Sequence, residues 1–328
     1  MKKEDEKLKI KTIKELYEMN FPPTKWLVEK LIPEDAITIL SAPPSSFKTW
    51  LILEIAGKMS KGEKLFGKYE TKKAGVLLLD EESGERQLSE RFRKLRINES
   101  DNIHYQSLSG RKLSSDYIEE LVVYCRMNEI GLVVFDSLAR FHTANENDAT
   151  EMARVAEKFV DLKKHGIASL IICHTRKSNG FNHNFSANDS VRGSSDIVAM
   201  CDNHISIRRD NKKNYIVISQ TKNRFDEECL PFMAKLVKDN SSSSHWEYLK
   251  DIDNEKSEWN KCLESVFELV KLHQYSNQKQ LIGYSKEEQL GLSEKKIRGA
   301  LAELEGQGRI ESNTGERTAK IYFSKEDF

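Results

Sequence analysis

The feature that most constrains this chain is a series of short apolar runs that end in polar residues and alternate with helix-like segments. The first run, AITILS, leads into the turn APPSSF and a helix from Lys48, and the second, GVLLLD, ends at Asp80. Two later runs, GLVVFD and IASLIIC, lead to Asp136 and His174. Because these runs lack a polar/apolar alternation, they indicate strands covered on both faces. We therefore predict an α/β fold with a mostly parallel sheet.

Four further strand-like segments follow without helices between them: NHISIRR, NYIVISQ, PFMAKLV and HWEYL. They predict an antiparallel extension of the core. Charged residues over 251–258 then indicate a linker. Beyond it, three helix-like segments and two short strand signals around NTGERT are typical of a winged helix. The predicted organisation is an N-terminal arm over 1–24, a core over 25–250 and a winged-helix domain over 258–328.

Composition excludes several classes of protein. The 328 residues are enough for two domains with buried cores. Lys and Arg number 52, as do Asp and Glu, so any attraction to nucleic acid must come from local patches. No apolar run reaches the length of a membrane span and the start has no signal-peptide core, so we expect a cytoplasmic protein without membrane contact. The five cysteines lie far apart, which argues against a disulfide framework.

The turn after the first strand has the spacing of a phosphate-binding loop, G-x-x-x-x-G-K-[ST], but lacks its glycines. Such loops hold phosphates on backbone N–H groups at a helix N-terminus, with a lysine on the β and γ phosphates and a hydroxyl on Mg²⁺. We expect ATP and Mg²⁺ to bind here; a chance meeting of strand and helix is the alternative. The eight residues are Ala42, Pro43, Pro44, Ser45, Ser46, Phe47, Lys48 and Thr49.

The two missing glycines predict an altered loop. Glycine permits φ > 0, and forcing that conformation on Ala42 or Phe47 costs about 1 kcal/mol or more per position unless the loop bends differently. Lys48 and Thr49 still supply the ammonium group and the hydroxyl. Binding is therefore a safer expectation than turnover.

Polar groups also end the other predicted parallel strands. Asp136 is placed to hold Mg²⁺ through water, or it is an ordinary strand-end carboxylate. The acidic run from Asp80 to Glu82 offers a carboxylate that orients or deprotonates water, or else caps the next helix. His174 faces the ligand crevice at the carboxyl edge of the sheet, unless it is structural. In this order, the groups predict a nucleotide site.

Four stretches carry a resemblance to a known family: VLLLDEESGERQLSERFRKL, LVVFDSLARFHTANENDATEM, LIICHTRK and VRGSSDIV. With the loop, they resemble the RecA/DnaB-type ATPase core over about residues 25–250, and especially the RepA-like replicative helicases of plasmids and phages. The resemblance implies that Glu82 is the catalytic glutamate, with Glu81 as the neighbouring candidate. It also implies that His174 senses the γ-phosphate.

The run Lys222-Asn223-Arg224 resembles the K-x-R element that DnaB-type helicases insert into a neighbouring subunit's nucleotide site. Such an arginine finger stabilises charge on the transferring phosphoryl group. A basic turn after a strand is the alternative, and Arg192 in VRGSS is a rival finger. The resemblance therefore implies a homo-oligomer, expected to be a hexamer.

About twenty residues between His174 and Ser195 are rich in Asn and Ser and carry Arg176, Lys177 and Arg192. A loop of that length inside a compact domain is usually functional or disordered. In RecA-like rings the corresponding loop lines the central channel and grips single-stranded DNA. We therefore expect these three cations to contact its phosphates, with a mobile surface loop as the alternative.

The predicted winged helix has two possible partners. Its third helix offers Lys295, Lys296 and Arg298, followed by Arg309, to duplex DNA. Residues 251–328, however, carry 15 acidic and 12 basic side chains, a net charge of −3. Docking of a replication protein is therefore an equal alternative.

The sequence predicts an ATPase that couples Mg²⁺-ATP hydrolysis to movement along DNA, in replication of a plasmid, phage or other mobile element. The main alternative is a nucleotide-regulated DNA-binding or scaffold protein with a degenerate loop and little hydrolysis. A recombination or regulatory ATPase of RecA type would share the site and differ only in that it does not unwind DNA.

Overall fold

The computed structural model describes residues 10–146, 148–175, 201–210, 214–239, 243–252, 254–314 and 320–324. The chain divides into two compact units, Met1–Lys250 and Asp251–Phe328. Each unit has its own apolar core. Within the described residues, no helix is long and apolar enough to cross a membrane.

The first unit contains five helices among the described residues, and the second of them begins at the predicted Lys48. They are α1 (Ile13–Glu18), α2 (Lys48–Lys61), α3 (Glu85–Lys94), α4 (Ser115–Met127) and α5 (Ala149–Lys164). The strands are β1 (Trp26–Val28), β2 (Ile32–Pro33), β3 (Ile37–Ala42), β4 (Gly75–Asp80), β5 (Ile103–Ser107), β6 (Ile130–Asp136), β7 (Ala168–His174), β8 (Asn203–Asp210), β9 (Tyr215–Asn223), β10 (Phe232–Lys238) and β11 (Ser244–Asp251).

Nine of these strands form one sheet in the order β11-β10-β9-β8-β3-β7-β6-β4-β5. The six strands from β8 to β5 are parallel, which confirms the predicted α/β fold with a mostly parallel sheet. β9 and β10 form the antiparallel extension. The strand β8, from the segment NHISIRR, is the junction between the two parts, because it pairs in parallel with β3 and antiparallel with β9. Local pattern does not encode the direction in which a strand enters its sheet.

The central strands are covered on both faces, which explains their unbroken apolar runs. Leu78 and Val134 pack with α2 in one buried cluster. Their chain neighbours Leu77 and Val133 pack with α4 and α5 in the other. Each such side chain contributes about 1.5–3 kcal/mol when fully buried. The two helical layers therefore hold the strand ends, and the polar residues on them, in fixed positions.

The helix α1 lies within the predicted N-terminal arm. Thr12 and Glu15 form a reciprocal capping box at its start, and its residues are all exposed. A helix this short gains little stability without packing. The cap is therefore its main local support.

In the second unit, the described residues form three helices and a small antiparallel sheet of order β12-β14-β13. Its elements are α6 (Asn254–Leu272), β12 (Ser276–Asn277), α7 (Gln278–Glu287), α8 (Glu294–Gly306), β13 (Ile310–Thr314) and β14 (Lys320–Ser324). Val266, Leu281 and Leu301 bring the three helices around one core. Asn277 and Ser293 cap the starts of α7 and α8 with their side chains.

Two sets of cations in the second unit differ in their surroundings. Lys295, Lys296 and Arg298 are exposed on α8. Arg309 instead donates two hydrogen bonds to Glu264, of 2.7 and 3.0 Å. Because this fork already holds a carboxylate, Arg309 is less available to a DNA phosphate than Lys295 or Lys296. Arg298 also has a carboxylate nearby, 3.7 Å away on Glu294.

Candidate nucleotide-binding site

The sheet brings the predicted site residues to one edge. β3 lies beside β7 with Ala42 opposite His174, and β6 lies beside β4 with Asp136 opposite Asp80. These pairs stand at the carboxyl ends of parallel strands, where open α/β sheets bind their ligands. Residues that are far apart in the chain therefore share one crevice.

The loop from β3 to α2 adopts the left-handed conformation at two residues that are not glycine. The φ angle is 62° at Ser45 and 63° at Phe47. The expectation that Ala42 also needs φ > 0 is wrong, because Ala42 is a buried residue of β3 and its carbonyl oxygen accepts the Thr175 N–H. A left-handed side-chain residue costs about 1 kcal/mol or more. Contacts elsewhere must therefore stabilise Ser45 and Phe47.

The start of α2 is open to an anion. Phe47 is its N-cap residue and makes no side-chain cap hydrogen bond, and the first turn holds no acidic residue among those the structure describes. The first amides of a helix have no intrahelical acceptor and attract negative charge. Within the loop, the Ser46 hydroxyl and the Lys48 ammonium group both donate to the Pro43 carbonyl oxygen, over 2.7 and 3.0 Å. The Pro43 carbonyl oxygen thus holds the loop closed beside the start of the helix.

A chain of polar contacts runs across the crevice from Lys48. Its Nζ lies 3.3 Å from Nδ1 of His174, and Nε2 of the same ring lies 3.0 Å from Oε1 of Glu82. Because an ammonium group only donates, Nδ1 is the acceptor and Nε2–H donates to the carboxylate. The Ser137 hydroxyl donates to the same Oε1 over 2.6 Å. The structure therefore brings the predicted Lys48, Glu82 and His174 together.

These contacts set the charge of Glu82. The hydrogen bond from His174, with that from Ser137 and the charge of Lys48, lowers the pKa of Glu82 to about 2 against the opposing effect of burial. Burial lowers the pKa of Lys48, and Asp136 and Glu82 oppose that shift. Glu82 is therefore ionised at any ordinary pH, and its orientation is fixed from two sides.

The remaining carboxylates suit a hard cation. Thr49 Oγ1 donates to Oδ2 of Asp136 over 3.3 Å. The other oxygens, Oδ1 of Asp136 and Oδ2 of Asp80, are buried without a hydrogen-bond partner among the described residues. Burial, together with the nearby carboxylates of Asp80 and Glu82, raises the pKa of Asp136 to about 7. Unpaired carboxylate oxygens beside a hydroxyl are the ligands Mg²⁺ prefers, so Thr49 and Asp136 fit the predicted metal.

Glu81 lies apart from this group. Its carboxylate accepts hydrogen bonds from the backbone N–H and hydroxyl of Ser109, over 2.8 and 2.5 Å, and from the N–H of Gly110, over 2.9 Å. The structure therefore separates the two glutamates. Glu82 faces His174, whereas Glu81 fixes the turn after β5.

Comparison with known proteins adds the family to this geometry. The profile of the AAA domain family matches residues 4–180. The chain belongs to the AAA domain family. A comparison with curated proteins finds no match.

Solved structures show which fold this AAA domain has. A DnaB-like replicative helicase, described with its interactions with primase, matches with a TM-score of 0.54 and 15% identity over 73% of this chain and 67% of that chain. A RadB recombinase gives a TM-score of 0.46 and 16% identity over 67% of this chain and 93% of that chain. The first match and the sheet order confirm the predicted RecA-like P-loop ATPase fold.

Lys222 and Arg224 lie at the other edge of the AAA domain sheet. β9 runs antiparallel to β8, so its end lies beside Asn203 and His204, at the start of β8. That edge is the amino end of the parallel strands, about 13 Å or more along β3 from the loop at roughly 3.3 Å per residue. Lys222 and Arg224 are therefore remote from the nucleotide site of their own chain.

A buried aspartate anchors the predicted finger in place. Arg224 Nη1 lies 3.4 Å from Oδ1 of Asp202, and the Arg224 N–H donates to the Asp202 carbonyl oxygen. Oδ2 of Asp202 accepts bonds from the Ile37 N–H over 3.0 Å and from Lys163 over 2.7 Å. The Arg224 guanidinium is thus paired with a carboxylate of its own chain, while half of its side chain stays exposed.

The residues predicted to contact DNA lie outside the described residues; they are Arg176, Lys177 and Arg192. The prediction of Arg192 as a rival finger therefore also falls outside them. Sequence reasoning overlooked Ser137 as a partner of Glu82, although it directly follows Asp136. That adjacency to the strand-end carboxylate was the available signal.

Proposed function

We propose that this protein is an ATPase that couples Mg²⁺-ATP hydrolysis to movement along DNA, in replication of a plasmid, phage or other mobile element. The observation that carries the proposal is the contact chain Lys48–His174–Glu82 at the carboxyl edge of the sheet, beside the open start of α2. It joins Lys48, which binds phosphate, to Glu82, which positions water. A site that only binds nucleotide does not need Glu82.

Each residue has a role that follows from its position. The amides of the loop from Ala42 to Thr49 and the Lys48 ammonium group bind the phosphates. Thr49 and Asp136 hold Mg²⁺, which neutralises phosphate charge when bound. Glu82 orients water and accepts its proton, because the carboxylate is ionised and one third exposed. His174 links Glu82 to Lys48, so a phosphate that displaces Lys48 also changes the hydrogen bonding of the Glu82 carboxylate.

The placement of Arg224 supports action on a neighbouring subunit. The residue is half exposed and lies at the edge of the sheet opposite to its own loop, and to reach a neighbour's phosphate its guanidinium must leave Asp202, from which it lies 3.4 Å. We infer that Arg224, with Lys222 beside it, completes the site of the next copy in a homo-oligomer, proposed to be a hexamer. Such a finger stabilises charge on the transferring phosphoryl group.

DNA contacts are assigned to two regions. We propose that Arg176, Lys177 and Arg192 hold the phosphates of single-stranded DNA, whose binding is insensitive to sequence. Residues 258–328 are proposed to be a winged-helix domain that binds duplex DNA or a replication protein. The exposed Lys295, Lys296 and Arg298 on α8 support the first partner, and the net negative charge of the region supports the second.

One observation favours the alternative of a nucleotide-regulated DNA-binding or scaffold protein. Lys48 already bonds Pro43 and His174, and the loop lacks both glycines. A phosphate must displace these contacts, which lowers the affinity available for binding. The alternative then predicts weak ATP binding and no DNA-stimulated hydrolysis.

The deciding experiment measures ATP hydrolysis by the full chain with and without single-stranded DNA, beside a sizing measurement in the same buffer. A motor hydrolyses Mg²⁺-ATP, is stimulated by DNA and assembles into a defined oligomer. Nucleotide binding without hydrolysis in either condition identifies the regulated scaffold. A calorimetric titration with no heat on addition of Mg²⁺-ATP removes the motor and leaves a scaffold whose loop does not bind ATP.

A further inference from the structure

We propose that Arg209 is a positioning residue that holds the phosphate loop in its binding conformation. Its contacts stabilise the left-handed backbone that glycine would adopt without support. The inference rests on the proposed nucleotide site. It concerns how a loop with side chains at two left-handed positions keeps its conformation at the start of α2. Arg209 lies on β8, the strand next to β3, 162 residues beyond Phe47.

One side chain contacts both left-handed residues. The guanidinium carbon of Arg209 lies 3.8 Å from the centroid of the Phe47 ring, and its Nη1 donates to the Ser45 carbonyl oxygen over 3.0 Å. A cation over an aromatic face is attracted by the ring, and a charged donor makes a stronger bond to a carbonyl than a neutral one. The two residues with φ near +60° are therefore tied to the same group.

Further contacts limit the movement of Arg209 and Phe47. Nη2 of Arg209 donates to the Asn214 side-chain oxygen over 3.2 Å. The Phe47 ring meets Trp246 edge to face, with centroids 6.1 Å apart, and the Trp246 indole N–H donates to the Trp50 carbonyl oxygen over 3.4 Å. Because Trp246 is buried, the Phe47 ring is held between a fixed aromatic surface and a fixed cation.

This arrangement changes what Phe47 does in the loop. In a glycine loop, the left-handed conformation needs no support because no Cβ opposes it. Here Arg209 and Trp246 hold that conformation through their contacts with the Phe47 ring. Arg209 thus acts through Phe47 and Ser45. Its loss should weaken binding of nucleotide more than it slows hydrolysis of bound nucleotide.

The first test needs no nucleotide. Arg209→Gln in the full chain should speed amide exchange over residues 45–53 by at least about fivefold, because this peptide includes the Leu51 N–H that bonds to the Phe47 carbonyl oxygen. Arg208→Gln is the matched control, since adjacent residues of a strand point to opposite faces of the sheet. Unchanged exchange in Arg209→Gln, or equal acceleration in both variants, overturns the inference. A failure of the proposed function leaves this readout intact.

The second test is a double-mutant cycle with the glycine restored. In the wild-type background, Arg209→Gln should raise the Kd for Mg²⁺-ATP by about tenfold or more, and should raise the KM for ATP while kcat changes little. In a Phe47→Gly background, the same substitution should change the Kd by less than about threefold. Equal effects in the two backgrounds mean that Arg209 acts independently of Phe47, and the inference is wrong. Absence of binding in the wild-type chain contradicts the proposed function instead.

Discussion

Nε2 of His174 lies 3.0 Å from Oε1 of Glu82, although the two residues are 92 positions apart in the chain. The contact exists only because β7 and β4 flank β6 in the sheet and end at the same edge. It keeps the carboxylate ionised and oriented toward the crevice. It also gives Lys48, on the other nitrogen of the ring, a route by which phosphate binding can alter the position of Glu82.

We expect Glu82→Gln to lower kcat for ATP hydrolysis by about 10²–10⁴-fold, because the amide cannot accept the proton of the attacking water. The Kd for Mg²⁺-ATP should stay within about threefold of the wild-type value. Steady-state hydrolysis and calorimetry measure the two quantities. The control is Glu81→Gln, whose carboxylate is bonded to Ser109 and Gly110 and whose loss should leave kcat nearly unchanged. The reverse pattern would show that Glu81 is the catalytic residue.

Lys48→Ala should weaken Mg²⁺-ATP binding by about 10–100-fold, since a buried ammonium group beside the loop is lost. Calorimetry measures the Kd, and circular dichroism confirms that the chain is folded. The matched control is Lys58→Ala on the same helix, where the lysine is exposed to a third and pairs with Glu63 over 2.7 Å. Equal affinity in wild type and Lys48→Ala would remove the loop from nucleotide binding.

Sequence pattern predicts the elements of this fold where burial is two-sided. The runs that became β4, β6 and β7 are apolar throughout because helices cover both faces. β5 was not predicted, since Ile103–Ser107 is an edge strand of half-exposed and mostly polar residues. The parallel pairing of β8 with β3, beside its antiparallel pairing with β9, was not predicted either. A parallel or antiparallel entry depends on how the preceding segment crosses the sheet, and the strand's own residues do not record it.

The site likewise contains residues that local pattern predicts and contacts that depend on tertiary packing. Asp136 and His174 could be found because each ends an apolar run, and parallel strand ends meet at one edge. Lys48 could be found because the turn before it has the spacing of a phosphate-binding loop. The contacts that support the loop could not be found in this way. Phe47 meets Trp246, on a strand at the far end of the sheet order, and Arg209, beside β3. No local pattern links residues that tertiary packing alone brings together.

His204 predicts a pH dependence of stability. It is buried between the hydroxyls of Ser41 and Thr221, at 2.8 and 2.6 Å, and burial lowers its pKa to about 4, helped by the charge of Lys222. The unfolded chain binds a proton at His204 below about pH 6.5, whereas the folded chain does so only below about pH 4. Stability is therefore lost as pH falls between these values, by up to about 3 kcal/mol from this group.

Urea unfolding at several pH values between 6.5 and 4.5 measures that loss. His204→Gln keeps hydrogen-bonding capacity but cannot titrate, so its free energy of unfolding should fall less steeply with decreasing pH than that of the wild type. Comparison of slopes removes any constant cost of the substitution. Identical slopes for wild type and His204→Gln would contradict the prediction.

The position of Arg224 predicts complementation between subunits. Arg224→Ala should lower hydrolysis by at least about 10²-fold while leaving ATP binding intact, because its own loop lies at the opposite edge of the sheet. Glu82→Gln is inactive for a different reason and keeps its Arg224. In a mixture of the two variants, some sites combine an intact Glu82 with a neighbour's Arg224, so activity should reappear and should rise with protein concentration.

Lys235→Ala, an exposed cation on β10, controls for loss of charge, and sedimentation shows whether each variant still assembles. If assembled mixtures stay inactive, or if Arg224→Ala hydrolyses ATP at the wild-type rate, Arg224 is not the finger and the basic turn is structural.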